Sequence, residues 1–326
     1  MKDIIKYIKD ENTFLITSHA SPDGDNVGSC LGMLEFLTKI GKEAYYVLDD
    51  SFPQNLSFLY ENYKIYESEE IKELLKERSY SLIALDCGDI KRLKIEPDLI
   101  EGASLICNID HHKSNNNFGT LNYVVDDASS TSELVYNILC AVDENLIDEK
   151  IGIALYTGLV TDTGNFMFES AKDSSLIMAA NLLSKGVDKQ KIIRSIYQSN
   201  SFDYLKLTAE VMMTLEKEKH FSYMILESSM LKKHSIDYND TEGLVNHALN
   251  IDGVEVGVLF KEQSENVVKV SFRSKGWANV NEIAKAFNGG GHERAAGCTI
   301  NKPIDQAVYS VLEKLREYMK IHGRSN

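Results

Sequence analysis

Leu105-Ile106-Cys107-Asn108-Ile109-Asp110-His111-His112 is a short apolar run that ends abruptly in a carboxylate and two imidazoles. Three other runs in the chain end in the same manner. Asn12-Thr-Phe-Leu-Ile-Thr-Ser18 leads into His19-Ala-Ser-Pro-Asp23-Gly-Asp25, Ser81-Leu-Ile-Ala-Leu85 leads into Asp86, and Gly158-Leu-Val-Thr161 leads into Asp162. Apolar runs of this length bounded by turn residues read as buried elements of a core. Groups so far apart in sequence converge only if those elements are neighbours that end at one edge. In open α/β sheets, that edge is where ligands bind.

The surrounding sequence supplies such a sheet. Val27 to Ile40 reads as a helix closed by Gly41, and Ala44 to Leu48 as a second strand. Residues 69–77 are helical, Leu82 to Leu85 and Leu105 to Ile109 are strands, and Tyr123 to Val125 is a further short one. Alternating strands and helices predict βαβ units and a parallel sheet, an α/β fold. From Thr131 the pattern turns to helices over 131–142, 148–160, 173–185 and 188–198. Residues 187–215 read as a polar, helical linker. Beyond it, strands at Phe221–Leu226, Val254–Phe260 and Val267–Phe272 alternate with helices near 240–249, 279–287 and 304–319, a smaller α+β unit. The expected division is therefore 1–186, a linker over 187–215, and 216–326.

A chain of 326 residues suits two domains. No apolar run approaches the ~20 residues of a membrane span. The N-terminal Met1-Lys-Asp-Ile-Ile-Lys-Tyr-Ile-Lys pattern is amphipathic and lacks the apolar stretch of a secretory signal. Cys30, Cys87, Cys107, Cys140 and Cys298 are odd in number and without C-x-x-C spacing. They are expected to be reduced, buried thiols of a cytoplasmic protein with no membrane partner. A net charge of −14 excludes tight gripping of long duplex nucleic acid through counterion release. Between Lys269 and Arg294, however, Lys269, Arg273, Lys275, Lys285 and Arg294 face only Glu282 and Glu293. One basic stretch in an acidic chain predicts a small anionic ligand.

Asp23 and Asp25, two residues apart in a strand-to-helix connection, are placed to serve two cations. An EF-hand is excluded, because the third ligand position after them is Val27 and the twelfth is Leu34. Taken singly, Pro22-Asp23-Gly24-Asp25 is an ordinary turn, and Asp86 or Asp162 an ordinary element end. Asp110-His111-His112 is harder to explain without chemistry, since such groups are costly to bury unpaired. Neutral imidazole ligates manganese, iron or zinc, and an adjacent carboxylate orients the ring. Together these residues describe a two-cation hydrolytic site and predict metal-dependent phosphoester hydrolysis. Asn288-Gly-Gly-Gly-His292-Glu-Arg-Ala-Ala-Gly297 reads either as a flexible hinge or as backbone N–H groups that approach an anion. Arg273 and Ser274 would complete a phosphate clamp. Ser129-Ser-Thr131 reads as a helix N-cap, with first-turn N–H groups open to a phosphate as the alternative. His220, His234 and His247 carry no partner pattern and read as structural.

In this order, His19-x-x-x-Asp23-Gly-Asp25, Asp86, Asp110-His111-His112, Thr161-Asp-Thr-Gly164 and Gly289-Gly-Gly-His292 resemble the DHH phosphoesterase superfamily. More narrowly they resemble its short two-domain branch, the bifunctional oligoribonuclease/pAp phosphatases. The resemblance spans nearly the whole chain. It implies a parallel-sheet DHH domain followed by a DHH-associated C-terminal domain. It further implies that His19, Asp23 and Asp86 hold one metal, and that Asp25, Asp86, His111 and Asp162 hold the other, with Asp86 bridging. Asp110 would steady the site and His112 would face the substrate phosphate. Arg273, Gly290, Gly291 and His292 would bind the rest of the substrate, which makes Asp86, Asp110, His111, His112 and His292 the catalytic set. Mixed oxygen and imidazole donors suit two Mn²⁺ ions, with Mg²⁺, Co²⁺ or iron as substitutes. The implied substrates are very short RNA oligonucleotides and 3′-phosphoadenosine 5′-phosphate (pAp). Hydrolysis of cyclic-di-AMP or its linear product pApA is the nearest rival. A pyrophosphatase needs no base-binding surface, and a long-strand exonuclease usually carries further domains. A non-catalytic nucleotide sensor would be expected to have lost acids that are intact here. A homodimer is compatible with the sequence.

Overall fold

In a computed structural model that describes residues 1–241 and 243–323, the apolar runs become neighbouring strands of one parallel sheet. The chain divides into two units, Met1–Ser199 and Asn200–Asn326. The first begins with α1 (Lys2–Asp10), β1 (Thr13–Ser18), α2 (Gly24–Lys39), β2 (Glu43–Val47), α3 (Ser57–Tyr60) and β3 (Ile65–Tyr66). It continues with α4 (Ser68–Leu74), β4 (Ser81–Leu85), α5 (Pro97–Glu101), β5 (Ile106–Asp110) and β6 (Leu121–Val124). Helices α6 (Thr131–Asp143), α7 (Glu149–Asp162), α8 (Asp173–Ser184) and α9 (Lys189–Tyr197) follow.

The strand order is β3-β2-β1-β4-β5-β6, parallel throughout. Every residue of β4 is buried, because a central parallel strand is covered on both faces and has no polar side to show. Phe14, Ile16, Ile83 and Leu85 pack on one face with Val27, Leu31, Ile138 and Leu155. Leu15, Leu82 and Ala84 pack on the other with Ile71 and Leu99. From β1 the chain builds outward through β2 and β3, then returns to β4 on the opposite side of β1. That reversal opens a crevice at the carboxyl ends of β1 and β4, where His19 and Asp86 emerge.

Two helices bring further groups to the same edge. At Gly28 of α2 a β-carbon would lie 2.4 Å from the Ala154 carbonyl oxygen and 2.9 Å from the Gly158 nitrogen of α7. Only glycine permits so close an approach, and it sets Asp25, in the first turn of α2, beside the end of α7 that carries Asp162. Helix α2 starts at Gly24, ahead of the expected Val27, because the Asp23 carboxylate caps it by accepting from the N–H groups of Asp25 and Asn26 at 3.1 and 3.0 Å. The cap converts an expected loop aspartate, Asp25, into a helical one.

The second unit consists of α10 (Phe202–Met212), β7 (Glu216–Glu218), β8 (Phe221–Leu226), α11 (Ser228–His234), α12 (Val245–Leu249) and β9 (Val256–Ser264). It ends with β10 (Val267–Ser274), α13 (Val280–Lys285), β11 (Gly290–Gly291), β12 (Ala295–Ile300) and α14 (Ile304–His322). Its sheet runs β11-β12-β10-β9-β8-β7, antiparallel except for the β8–β9 pair. The span expected as a linker carries α9 and α10, one in each unit. The glycine stretch is not a hinge. Gly290 and Gly291 form β11 and pair with Gly297 and Ala296 of β12, a strand the sequence reading missed. Gly291 has φ of +143°, and a β-carbon there would meet the Ala295 carbonyl oxygen at 2.5 Å. Among the described residues, no helix is long and apolar enough to cross a membrane.

Candidate metal centre

Asp86 lies at the focus of the crevice. Its N–H donates to the Ile109 carbonyl at 3.1 Å, continuing the β4–β5 pairing for one residue. Its φ of +54° then turns the chain sharply. A left-handed backbone costs an L-residue about 1–2 kcal/mol, less for Asp and Asn than for most, and such strain concentrates at functional sites. The buried Asp86 carboxylate is met by His19 Nε2 at 3.3 Å, His111 Nε2 at 3.7 Å and His112 Nδ1 at 3.6 Å, and it accepts from Thr131 Oγ1 at 3.1 Å.

Three overlapping donor groups result: His19, Asp23 and Asp86; Asp25, His111 and Asp162; and Asp86, His111 and His112. Within each group one ligand atom per residue lies within 4.8 Å of the others. His111 Nε2 is 3.3 Å from Asp162 Oδ2. The ring of His19 directs Nδ1 at the Ala20 carbonyl at 2.7 Å, and His111 directs Nδ1 at the Ala128 carbonyl at 3.3 Å. Both contacts place the ring proton on Nδ1 and turn Nε2 toward the carboxylates, as cation ligation requires.

Asp25 is held from the far side. Its two oxygens accept from the N–H groups of Thr131 and Ser132 at 2.6 and 2.8 Å, at the start of α6. Ser130 is the N-cap of α6 and accepts from the Glu133 N–H at 3.1 Å. The alternative of a phosphate at this helix start is thereby overturned, because the first-turn amides are engaged by Asp25. The positive end of the helix instead supports a buried carboxylate.

The charges in this cluster do not balance. Burial and the neighbouring Asp86 push the Asp25 carboxyl up to about 7. Burial and Asp25 likewise raise Asp162 well above the usual carboxylate range. Burial alone would depress the imidazoles. Asp86 and Asp23 nevertheless raise His19 to about 9, and Asp162, Asp86 and Asp25 raise His111 to about 9. Burial works against ionised Asp86, but the three histidines hold its carboxyl below the ordinary value. All these shifts report one deficit of positive charge, which divalent cations would fill with the oxygen and imidazole donors present.

Asp110 is fully buried, and its Oδ1 lies 2.6 Å from His112 Nδ1. Its other oxygen accepts from Asn115 Nδ2 at 2.6 Å. Asn115 and Asn108 were not among the residues singled out from sequence, and Thr131 was read there only as part of a helix start, not as a donor to Asp86. Asn108 left a signal, as the one polar side chain inside an apolar strand.

In the second unit Arg273 is half-buried and donates to the Phe272 carbonyl at 3.1 Å. Ser274, expected in a phosphate clamp, is buried and donates instead to the Ala278 carbonyl at 2.7 Å, so it braces its own loop. Glu255 Oε1 braces the same loop by accepting from the Gly276 and Ala278 N–H groups, both at 2.8 Å. Gly290, Gly291 and His292 are exposed. His292 opens a tight turn in which its N–H donates to the Ala295 carbonyl at 2.7 Å. His234 is paired with Glu210 at 2.7 Å, in keeping with a structural role.

Residues 13–159 match the DHH family N-terminal domain, and residues 220–321 match the DHHA1 domain. A bifunctional oligoribonuclease and PAP phosphatase of Thermus thermophilus is 33% identical over 96% of this chain and 92% of its own length. The protein of the same description from Bacillus subtilis is 26% identical over 91% of this chain and 92% of its own. Among solved structures, an exopolyphosphatase-related protein from Bacteroides fragilis superposes with a TM-score of 0.92 at 29% identity, covering 99% of this chain and 97% of that one.

Proposed function

The chain belongs to the DHH family of phosphoesterases, in the branch of the bifunctional oligoribonuclease/pAp phosphatases, and from that membership we propose that it hydrolyses very short RNA oligonucleotides to mononucleotides and pAp to AMP. The observation that carries the chemistry is the strained, buried Asp86, shared between two donor groups, one with His19 and Asp23 and the other with His111 and His112. Likeness to the Thermus relative along both units supports the choice of substrates.

Two divalent cations are proposed, Mn²⁺ first, with Mg²⁺ or Co²⁺ able to replace it. His19, Asp23 and Asp86 hold one; Asp25, Asp86, His111 and Asp162 hold the other. What such a pair supplies when bound is Lewis acidity toward water and phosphoryl oxygens. The protein's own groups do the rest. Thr131 and Ser132 fix Asp25, the Ala20 and Ala128 carbonyls fix the tautomers of His19 and His111, and Asp110 fixes that of His112. Burial works against a charged His112 imidazole, but Asp110 and Asp86 raise it above its ordinary range. In the protonated ring Nδ1–H goes to Asp110 while Nε2–H donates to a substrate phosphate. Arg273 supplies a bidentate donor for a further phosphate, and the turn at Gly290, Gly291 and His292 supplies backbone and imidazole contacts. The free cysteines fit work in the reducing cytoplasm.

The test is product analysis with pAp, a five-nucleotide RNA, pApA and cyclic-di-AMP, with and without Mn²⁺. The expected result is Mn²⁺-dependent release of AMP and phosphate from pAp and of mononucleotides from the RNA. Turnover confined to pApA or cyclic-di-AMP would replace the substrate assignment. Binding without turnover of any of the four would make the protein a nucleotide sensor.

A further inference from the structure

We propose that Asn115 is a positioning residue: anchored by Asn108, it fixes Asp110 and through it the ring of His112. The inference rests on the phosphoesterase reading above and names a residue which that reading does not use. The amide of Asn115 has one orientation consistent with its partners. Its Oδ1 accepts from the Asn117 N–H at 2.6 Å, so Nδ2 is the group that faces the core. There it donates to Asp110 Oδ2 at 2.6 Å and to Asn108 Oδ1 at 2.8 Å.

Asn108 is itself oriented without ambiguity. Its Nδ2 donates to the Ala84 and Cys87 carbonyls at 3.2 and 3.0 Å, which leaves Oδ1 as the acceptor for Asn115. Both amide orientations therefore follow from backbone partners that cannot exchange roles. With one oxygen of Asp110 taken by the Asn115 N–H donor, the carboxyl group is fixed in rotation. Its Oδ1 then accepts from His112 Nδ1–H at 2.6 Å. The chain Asn108–Asn115–Asp110–His112 thus begins at the backbone of β4 and ends at the imidazole assigned to the substrate phosphate. Each link is a satisfied, largely buried hydrogen bond, the kind of network that specifies a single geometry.

A positioning role and a merely structural role make different predictions in a double-mutant cycle. Full-length protein loaded with Mn²⁺ is assayed on pAp as the parent, Asn115→Ala, His112→Ala and the double variant. Exposed Asn116→Ala serves as the folding and handling control, because Asn116 contributes only its N–H to the Gly88 carbonyl. Asn115→Ala is expected to lower kcat about 10–100-fold, the usual effect of removing a support behind a working histidine. The KM for pAp and the Mn²⁺ affinity stay within a factor of two of the parent. The double variant should be no slower than His112→Ala alone. An equal loss on both backgrounds, or a fall in Mn²⁺ affinity large enough to explain the loss, would overturn the proposal.

If the parent turns over none of the four substrates, the functional reading fails but this inference is still decided. Histidine-¹⁵N spectra of the Mg²⁺-loaded protein report the His112 tautomer directly. Nδ1–H in the parent that is scrambled in Asn115→Ala supports the proposal, and an unchanged tautomer sinks it. If Asn115→Ala does not fold, the parent spectrum alone decides, because any tautomer other than Nδ1–H contradicts the network.

Discussion

Asp25 accepts a 2.6 Å hydrogen bond from the backbone N–H of Thr131, 106 positions further along the chain. The contact ties the first turn of α2 to the first turn of α6 and steadies a buried carboxylate with a helix N-terminus. Asp25→Asn keeps the size of the side chain but removes its charge and sets an amide N–H against one of the two backbone donors. The variant should fold, retain the His19–Asp23–Asp86 cation, lose the other, and fall at least about 100-fold in kcat, beyond the range for supporting residues alone. Mn²⁺ stoichiometry by calorimetry beside pAp turnover checks this. Two bound ions at parental affinity would refute it.

The approach of α2 to α7 depends on the absence of side chains. Gly28→Ala would drive a methyl group into the Ala154 carbonyl, 2.4 Å away, and backbone cannot step aside as a flexible side chain can. Overpacking of this kind costs about 1–3 kcal/mol. Denaturant unfolding should show that loss, and Mn²⁺ binding should weaken with it because Asp25 and Asp162 ride on the two helices. Full stability in Gly28→Ala would mean the helices are less tightly set than described.

Removing metal should matter more at high pH. His19 and His111, each raised to about 9 from an ordinary 6.5, lend the metal-free fold stability that is complete below about 6.5 and lost as pH rises through 9. Asp25, raised to about 7 from 3.8, acts in the same direction over the lower window. Asp86, depressed by its histidines, opposes them only where acid protonates it. Cations replace those protons on the native state alone. The rise in Tm on adding Mn²⁺ to chelator-treated protein is therefore expected to be larger at pH 8.5 than at pH 6. An equal or smaller rise at pH 8.5 would count against the charge deficit.

The sequence made the parallel sheet legible because its strands are unbroken apolar runs, and each run stops at a residue that projects from the same edge. That pattern led to the expectation that Asp86, His19, His111 and His112 converge, whereas their assignment to particular cations came only from the family resemblance. Other features were hidden for physical reasons. The start of α2 was placed too late because Asp23 reads as a turn residue when it is a cap. Strand β12, Ala295–Ile300, was missed because the glycines before it look like a hinge and its alanines and glycine carry little β signal. Ser274 looked like a phosphate ligand from its position beside Arg273, and its bond to the Ala278 carbonyl could not be read from sequence. Asn115 sits in a polar stretch, Lys113-Ser-Asn-Asn-Asn117, where nothing local separates the half-buried amide from its exposed neighbours.

Anomalous diffraction from Mn²⁺-loaded crystals would settle whether Asp86 joins two cations. Two manganese peaks are expected, one ligated by His19, Asp23 and Asp86 and the other by Asp25, Asp86, His111 and Asp162, with Asp86 contacting both. A single peak, or two peaks of which only one touches Asp86, would contradict it.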